Sequence, residues 1–247
     1  MGNYGKNMKR KGNCQIDLEG ELSNIDIIER PIDPSVQKEY HDLSDTIDLD
    51  NVNYEEVLTE ADKLFVRDVP IEEKKRTLIL LAHLKTMESV KILERYLKVS
   101  EAGLKDWAVL ALKECRMLVE GVFLDEEEGF ISTGLGGKGN KMRYYFIVST
   151  KEGRPLTVAE RENLERGFRR RSDEYGAEIE GITIGNNYAM VGILVPMEVA
   201  VGEVIEEGIR RCNKTGQVLL KDYYVTNVKK PSEVEISEYL GQIRRNR

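Results

Sequence analysis

Between Lys141 and Val228 the apolar positions change period several times, and each change marks an element. The aromatic and β-branched run over 142–149 predicts a strand. From Thr157 onward the apolar residues fall to helical spacing, with Leu164, Phe168 and Tyr175 on one face. Thr157 and Glu160 stand three apart as a capping box, and Gly176 suits a left-handed C-terminal cap. Two more strands are predicted over 179–184 and 188–195. They flank Asn186-Asn187, both of which tolerate positive φ and favour a tight hairpin. Val201, Val204, Ile205, Gly208, Ile209 and Cys212 then form a continuous helical stripe that ends at Gly216. A last strand runs over 217–228, followed by a short polar helix and a basic tail.

The order strand, helix, strand, strand, helix, strand is the ferredoxin-like plan. Its first and third strands are central, and both helices can cover one face of the antiparallel sheet. Tyr144 and Phe146 point to one side of the first strand, Tyr145 and Ile147 to the other, and the last strand offers Tyr223 and Tyr224. Tyr144, Tyr145, Tyr223 and Tyr224 are therefore candidate contacts on the sheet faces. A bare apolar face is uncommon on a soluble monomer. Cover is expected from the helical half first, then from the segment 15–28, or from a second copy in a homodimer through the sheet. The third strand, YAMVGILV, lacks the basic and paired aromatic residues of RNA-recognition modules. Related folds that cut single-stranded DNA carry paired histidines on a central strand, and none stands here.

Upstream, residues 54–120 show helical spacing throughout. Val57, Leu58, Ala61, Leu64 and Phe65 mark the first helix, which ends before Pro70. Leu78, Leu81, Ala82 and Leu84 mark the second; Val90, Leu93, Tyr96 and Leu97 the third; and Leu104, Trp107, Ala108, Ala111, Leu112 and Cys115 the fourth. The run ESVKILERYL, the break SEAG and LKDWAVLAL, with Lys105 where the family usually has Arg, resemble a HEAT-type repeat of the short, lyase-associated kind. That resemblance implies a helical array offering a surface for protein contact, and no chemistry. Two repeats are fewer than the roughly three a solenoid needs, so the array should lean on another part of the chain or on a partner.

The expected fold is α+β: an N-terminal α-helical HEAT-like array and a C-terminal ferredoxin-like βαββαβ antiparallel sheet domain. The expected units are an extended, partly disordered arm over 1–53, the helical array over 54–124, an acidic and then glycine-rich linker over 125–141, the sheet domain over 142–230 and a polar tail over 231–247. Mild proteolysis is expected in the linker. Within it, Gly134, Gly136, Gly137, Lys138, Gly139, Lys141 and Arg143 form a candidate anion or ligand loop. A Walker-type loop would need Lys and Ser/Thr after Gly139 and a helix beyond; Asn140, Lys141 and a strand follow instead. The loop reads as a flexible entry to the strand.

Charge divides the chain. Residues 1–128 carry 18 basic and 28 acidic side chains, a net of −10, and residues 129–247 carry 19 and 16, a net of +3. The whole chain, at −7, is a poor polyanion binder, and only its second half could host a basic site. Arg169-Arg170-Arg171 spreads around a helix end and reads as solvated. Cys14, Cys115 and Cys212 are too dispersed for a disulfide framework or metal site, and Cys115 and Cys212 fall on apolar stripes. No apolar run approaches the roughly 18 residues of a membrane span, and the basic start lacks a secretory apolar region. No nucleophile set, metal cluster or cofactor fingerprint is legible, so no cofactor is expected. The lead expectation is a non-enzymatic, cytoplasmic interaction or regulatory scaffold with a protein partner, no membrane contact and nucleic acid disfavoured. Alternatives are a small-ligand sensor using the ferredoxin-like domain, and an enzyme with its site under the glycine-rich loop.

Overall fold

The structure, a computed structural model, describes residues 25–48, 52–124 and 129–245. The disordered start over 1–13, most of the strand reading over 15–28 and the acidic stretch 125–128 lie outside the described residues. The molecule is a mixed helix and sheet fold.

A short strand β1 (Ile25–Ile27) pairs in parallel with β2 (Gly129–Ile131), so the chain before the helices is stitched to the chain after them. The acidic stretch that composition marks as an unstructured arm instead carries helix α1 (Pro34–Ser44). Asp33 caps it by accepting from the Ser35 amide at 2.8 Å, and Pro34 supplies a first residue with preset φ. Val36, Tyr40 and Leu43 give it one apolar face. Tyr40 is fully buried there, and its hydroxyl donates to Glu114 Oε2 at 2.5 Å. Burial and the neighbouring Glu114 carboxylate both push the Tyr40 phenol well above its usual range.

Helix α2 (Tyr54–Glu60) runs into a 3-10 turn, followed by α3 (Ile71–His83), α4 (Met87–Val99) and α5 (Lys105–Leu124). Helix α5 packs on α1, α3 and α4. Their common core holds Leu78, Leu81, Leu93, Trp107, Ala111 and Cys115, all at most 1 % exposed. Burial raises the Cys115 thiol to about 11, so it behaves as a small apolar residue.

In the second half β4 (Lys141–Thr150), α6 (Val158–Glu174), β5 (Glu178–Ile184), β6 (Tyr188–Pro196), α7 (Val201–Cys212) and β7 (Leu219–Thr226) follow in order. The antiparallel sheet runs β5-β6-β4-β7, with the two-residue β3 (Gly137–Lys138) also paired to β4. The capping box at Thr157 and Glu160 is formed, and Gly176 takes φ +65°. The hairpin between β5 and β6 differs from expectation: neither asparagine has positive φ. Gly185 donates to the Tyr188 carbonyl at 2.9 Å, and Asn187 is buried. After α7 the left-handed residue is Gln217 (φ 49°), not Gly216.

Helices α6 and α7 cover one sheet face, around Phe146, Val148, Phe168, Val191 and Ile205. The four tyrosines divide: Tyr144 and Tyr223 pack on this side, Tyr145 and Tyr224 on the other. Among the described residues, the other face is not covered by the helical half. It is covered by α8 (Glu233–Arg245), the segment that composition marks as a polar tail. Ile236, Tyr239 and Leu240 of α8 close over Ile147, Met190 and Tyr224, with the Tyr224 and Tyr239 rings 5.7 Å apart. A homodimer through this face is not required.

The start of α8 carries a pH-sensitive clamp. Lys229 reaches Glu235 Oε1 at 2.9 Å, and the Ser232 amide and hydroxyl donate to Glu235 Oε2 at 3.0 and 2.8 Å. The Lys229 bond above all, then the Ser232 bonds, lower the Glu235 carboxyl to about 2. A depressed pKa stabilises above the unfolded value of about 4.5 and is lost as pH falls toward 2. Glu235→Gln should therefore lower the thermal midpoint by a constant amount above pH ~5, and the gap to wild type should close between ~4.5 and ~2. A gap independent of pH would place the clamp's contribution elsewhere.

Candidate functional site

The glycine-rich loop is not a free entry segment. Gly139 N donates to Glu29 Oε1 at 2.9 Å, and Gly137 N donates to the Glu29 carbonyl at 3.2 Å. A Cβ on Gly136 would fall 2.2 Å from that carbonyl, and one on Gly134 only 1.8 Å from the Val228 carbonyl. These glycines let the loop dock between two strands of backbone. Its cations are engaged as well: Arg143 holds Glu180 through Nε (2.6 Å) and Nη2 (2.9 Å), and its Nη1 donates to the Leu135 carbonyl at 2.8 Å. Lys138 lies 3.6 Å from Glu178. Lys141 sits in the pairing with β3. Carboxylates of this chain thus occupy the place an anion would take, and the loop serves as a latch. The arginine run is likewise paired: Arg169 with Glu165 (3.1 Å), Arg170 with Glu174 (3.7 Å), and Arg171 with Glu174 and Glu207.

The accessible cations converge elsewhere, at the end of the sheet where β4 finishes, α7 ends and β7 begins. A cleft of about 660 Å3 there is lined by Lys151, Arg210, Lys214 and Lys221, with Asn213 and Gln217 between them. Three local features shape it. Asn213 closes the turn from α7 into β7 in both directions: its Nδ2 donates to the Leu219 carbonyl (2.9 Å) and its Oδ1 accepts from the Leu219 amide (2.8 Å). Gln217 adopts its left-handed conformation within the same turn, a strained choice for a residue with a side chain. Finally, β7 bulges: Val148 pairs with Tyr223 but Thr150 with Leu219, so the arc Leu220-Lys221-Asp222 stands opposite Ser149 alone. Bulges of this kind re-aim side chains at sheet edges; here Lys221 lines the cleft and Leu220 lines a second recess beside it.

The electrostatics are one-sided. Lys214 and Lys221 are exposed, and among the described residues neither has a carboxylate in ion-pair reach. Lys151 donates to Gln217 Oε1 at 2.7 Å, and Arg210 holds Glu207. The acid on the cleft, Glu206, accepts from the Tyr223 hydroxyl at 3.2 Å. A local surplus of cations in a chain of net charge −7 draws anionic ligands to this end of the sheet. Compact, strongly hydrated lysine ammonium groups with amide donors between them suit phosphate oxygens.

The two histidines lie far from this cleft in the chain, His41 on α1 and His83 at the end of α3, where its Nε2 is 3.5 Å from Glu114. Among the described residues no group of three or more His, Cys, Asp or Glu could hold a metal ion. Among them, too, no helix is long and apolar enough to cross a membrane. Pattern reading overlooks Lys151, Lys214 and Lys221 because each is single and separated in sequence. The available signal is topological: antiparallel pairing of β4 with β7 brings the end of one to the start of the other, and α7 leads directly into β7.

No protein-family model and no curated protein matches this sequence. Among solved structures, the chain is similar to a protein assigned as a transposase of Deinococcus radiodurans R1. The overlap covers 41% of this chain and 90% of that one, at 17% identity and a TM-score of 0.37. It is also similar to a REP-associated tyrosine transposase bound to a REP hairpin, over 41% of this chain and 61% of that one, at 8% identity and a TM-score of 0.32. Both neighbours are assigned as transposases. The expectation of a non-enzymatic scaffold with a protein partner and nucleic acid disfavoured is therefore withdrawn. The overlap is partial in each case, and the chemistry has to be read from this chain's own residues.

Proposed function

We propose that the C-terminal half binds a single nucleic-acid strand through its phosphates. The observation that carries this reading is the convergence of Lys151, Arg210, Lys214 and Lys221 on one open cleft, two of them without an acidic partner among the described residues. Strand-binding proteins track the backbone with such a basic groove, and flexible lysines follow phosphates without reading bases. The net charge of −10 over residues 1–128 opposes any broader polyanion surface and confines binding to this end of the sheet.

The test is fluorescence anisotropy of the full chain with a labelled single-stranded oligonucleotide across a salt series. Each phosphate contact to a single strand contributes about −0.7 to the slope of log K against log salt, so four cations predict a slope of roughly −3. A slope near zero, or no binding at low salt, would sink the reading.

A further inference from the structure

Beside the cleft, and sharing Lys151 with it, lies a second recess of about 250 Å3 between the end of β4 and helix α8. Its floor is polar and its outer wall is apolar, formed by Leu220, Leu240 and Ile243. Ser149 lines the floor. It is 2 % exposed, and its Oγ is buried with no hydrogen-bond partner among the described residues. Its position two residues beyond Ile147 puts it on the face that α8 covers, opposite the β7 bulge. Asn187, 7 % exposed, stands on the same floor. Its backbone carbonyl accepts from the Thr150 amide at 3.0 Å, while its side-chain amide bonds to nothing among the described residues. A buried hydroxyl without a partner is uncommon and calls for a group to complete it.

The rim supplies charge. Arg244 of α8 lies across Gly153, which takes a positive φ (66°); a Cβ there would meet Arg244 Nη2 at an ordinary contact distance of 3.7 Å. Among the described residues Arg244 has no ion pair. The acid on the rim, Glu152, is bound to Arg154 at 3.2 Å. Arg244 and Lys151 thus face the recess as guanidinium and ammonium, with hydroxyl and amide groups below and an apolar wall beside them. That combination fits a phosphate monoester carried on a sugar, and the volume admits a phosphate with its pentose.

We propose that this recess holds the terminal phosphate and last pentose of the strand whose inner phosphates lie on the adjoining cleft. The inference rests on the strand-binding reading and adds end recognition to it. The full chain is titrated with a single-stranded oligonucleotide bearing a terminal phosphate at its 5′ or 3′ end, with the same oligonucleotide unphosphorylated, and with a circular strand of equal length. Free nucleoside monophosphates and inorganic phosphate are titrated alongside. One phosphorylated end should bind about tenfold tighter than the circle, the scale of one charge-assisted contact. Ser149→Ala and Arg244→Gln should each erase that preference while leaving affinity for the circle and the thermal midpoint unchanged. Equal affinity for all four strands, or a preference that survives both substitutions, overturns end recognition and leaves the strand-binding reading intact. Failure of every strand to bind overturns the strand-binding reading. Nucleoside monophosphate binding lost in Arg244→Gln would then identify the recess as a free-nucleotide site and refute the strand end as its occupant.

Discussion

Lys214→Glu combined with Lys221→Glu should weaken binding of a single-stranded oligonucleotide by about a hundredfold at low salt and halve the salt slope. Both lysines line the basic cleft, both are exposed, and neither has an acidic partner among the described residues. Reversing them leaves Lys151, already bonded to Gln217, and Arg210, already holding Glu207, to meet the strand. The substitutions replace two attractive charges with two repulsive ones, so the loss exceeds simple neutralisation. Exposed positions without structural partners usually shift stability by no more than ~0.5 kcal/mol, which keeps folding out of the result. Lys98→Glu combined with Lys138→Glu, both outside the cleft, serves as a charge-matched control and should leave affinity nearly unchanged. Equal losses from the control and the cleft variant would mean that net charge alone governs binding and that the cleft has no special part.

The sheet half was legible from its pattern because its signals are local. Apolar runs rich in aromatic and β-branched residues mark β4 and β6, a Thr157–Glu160 box starts α6, and Gly176 ends it with the left-handed φ that glycine allows. Composition hid one helix and the apolar face of another. In α1 the apolar face of Val36, Tyr40 and Leu43 is diluted by acids and by Pro34, which marks a helix start here rather than a break. In α8, Ile236, Tyr239, Leu240 and Ile243 stand at 3–4 spacing, enough to signal an amphipathic helix, but basic and acidic neighbours mask them. Reading α8 as polar also leaves the second sheet face without its cover. The glycine loop illustrates a different limit: Glu29 and Val228 hold it, and no pattern within the loop records contacts to residues so distant in sequence. The cleft shares that limit, since Lys151, Lys214 and Lys221 meet only through strand pairing and one bulge.

Trp107→Ala should destabilise the protein by about 3–5 kcal/mol, read from the denaturant midpoint at unchanged m-value. Trp107 is 1 % exposed at the centre of the helical half. Its ring lies 5.4 Å from the Tyr40 ring, and Lys75 Nζ sits 4.8 Å over it while bonded to Glu39 at 2.5 Å and Glu72 at 3.0 Å. Truncation opens a cavity among well-packed neighbours and removes the aromatic face beneath the Lys75 ammonium. It also removes the ring against which α1 rests, so α1 should loosen before the remaining helices, seen as faster amide exchange around Tyr40. Trp107→Phe keeps part of the volume and should lose distinctly less. Because the cleft is built from the sheet half, Trp107→Ala should leave strand affinity near the wild-type value under conditions where the variant is folded. A midpoint shift worth less than ~1 kcal/mol would show that the surrounding helices collapse into the space, and that α1 depends on the Tyr40–Glu114 bond more than on the ring beside it.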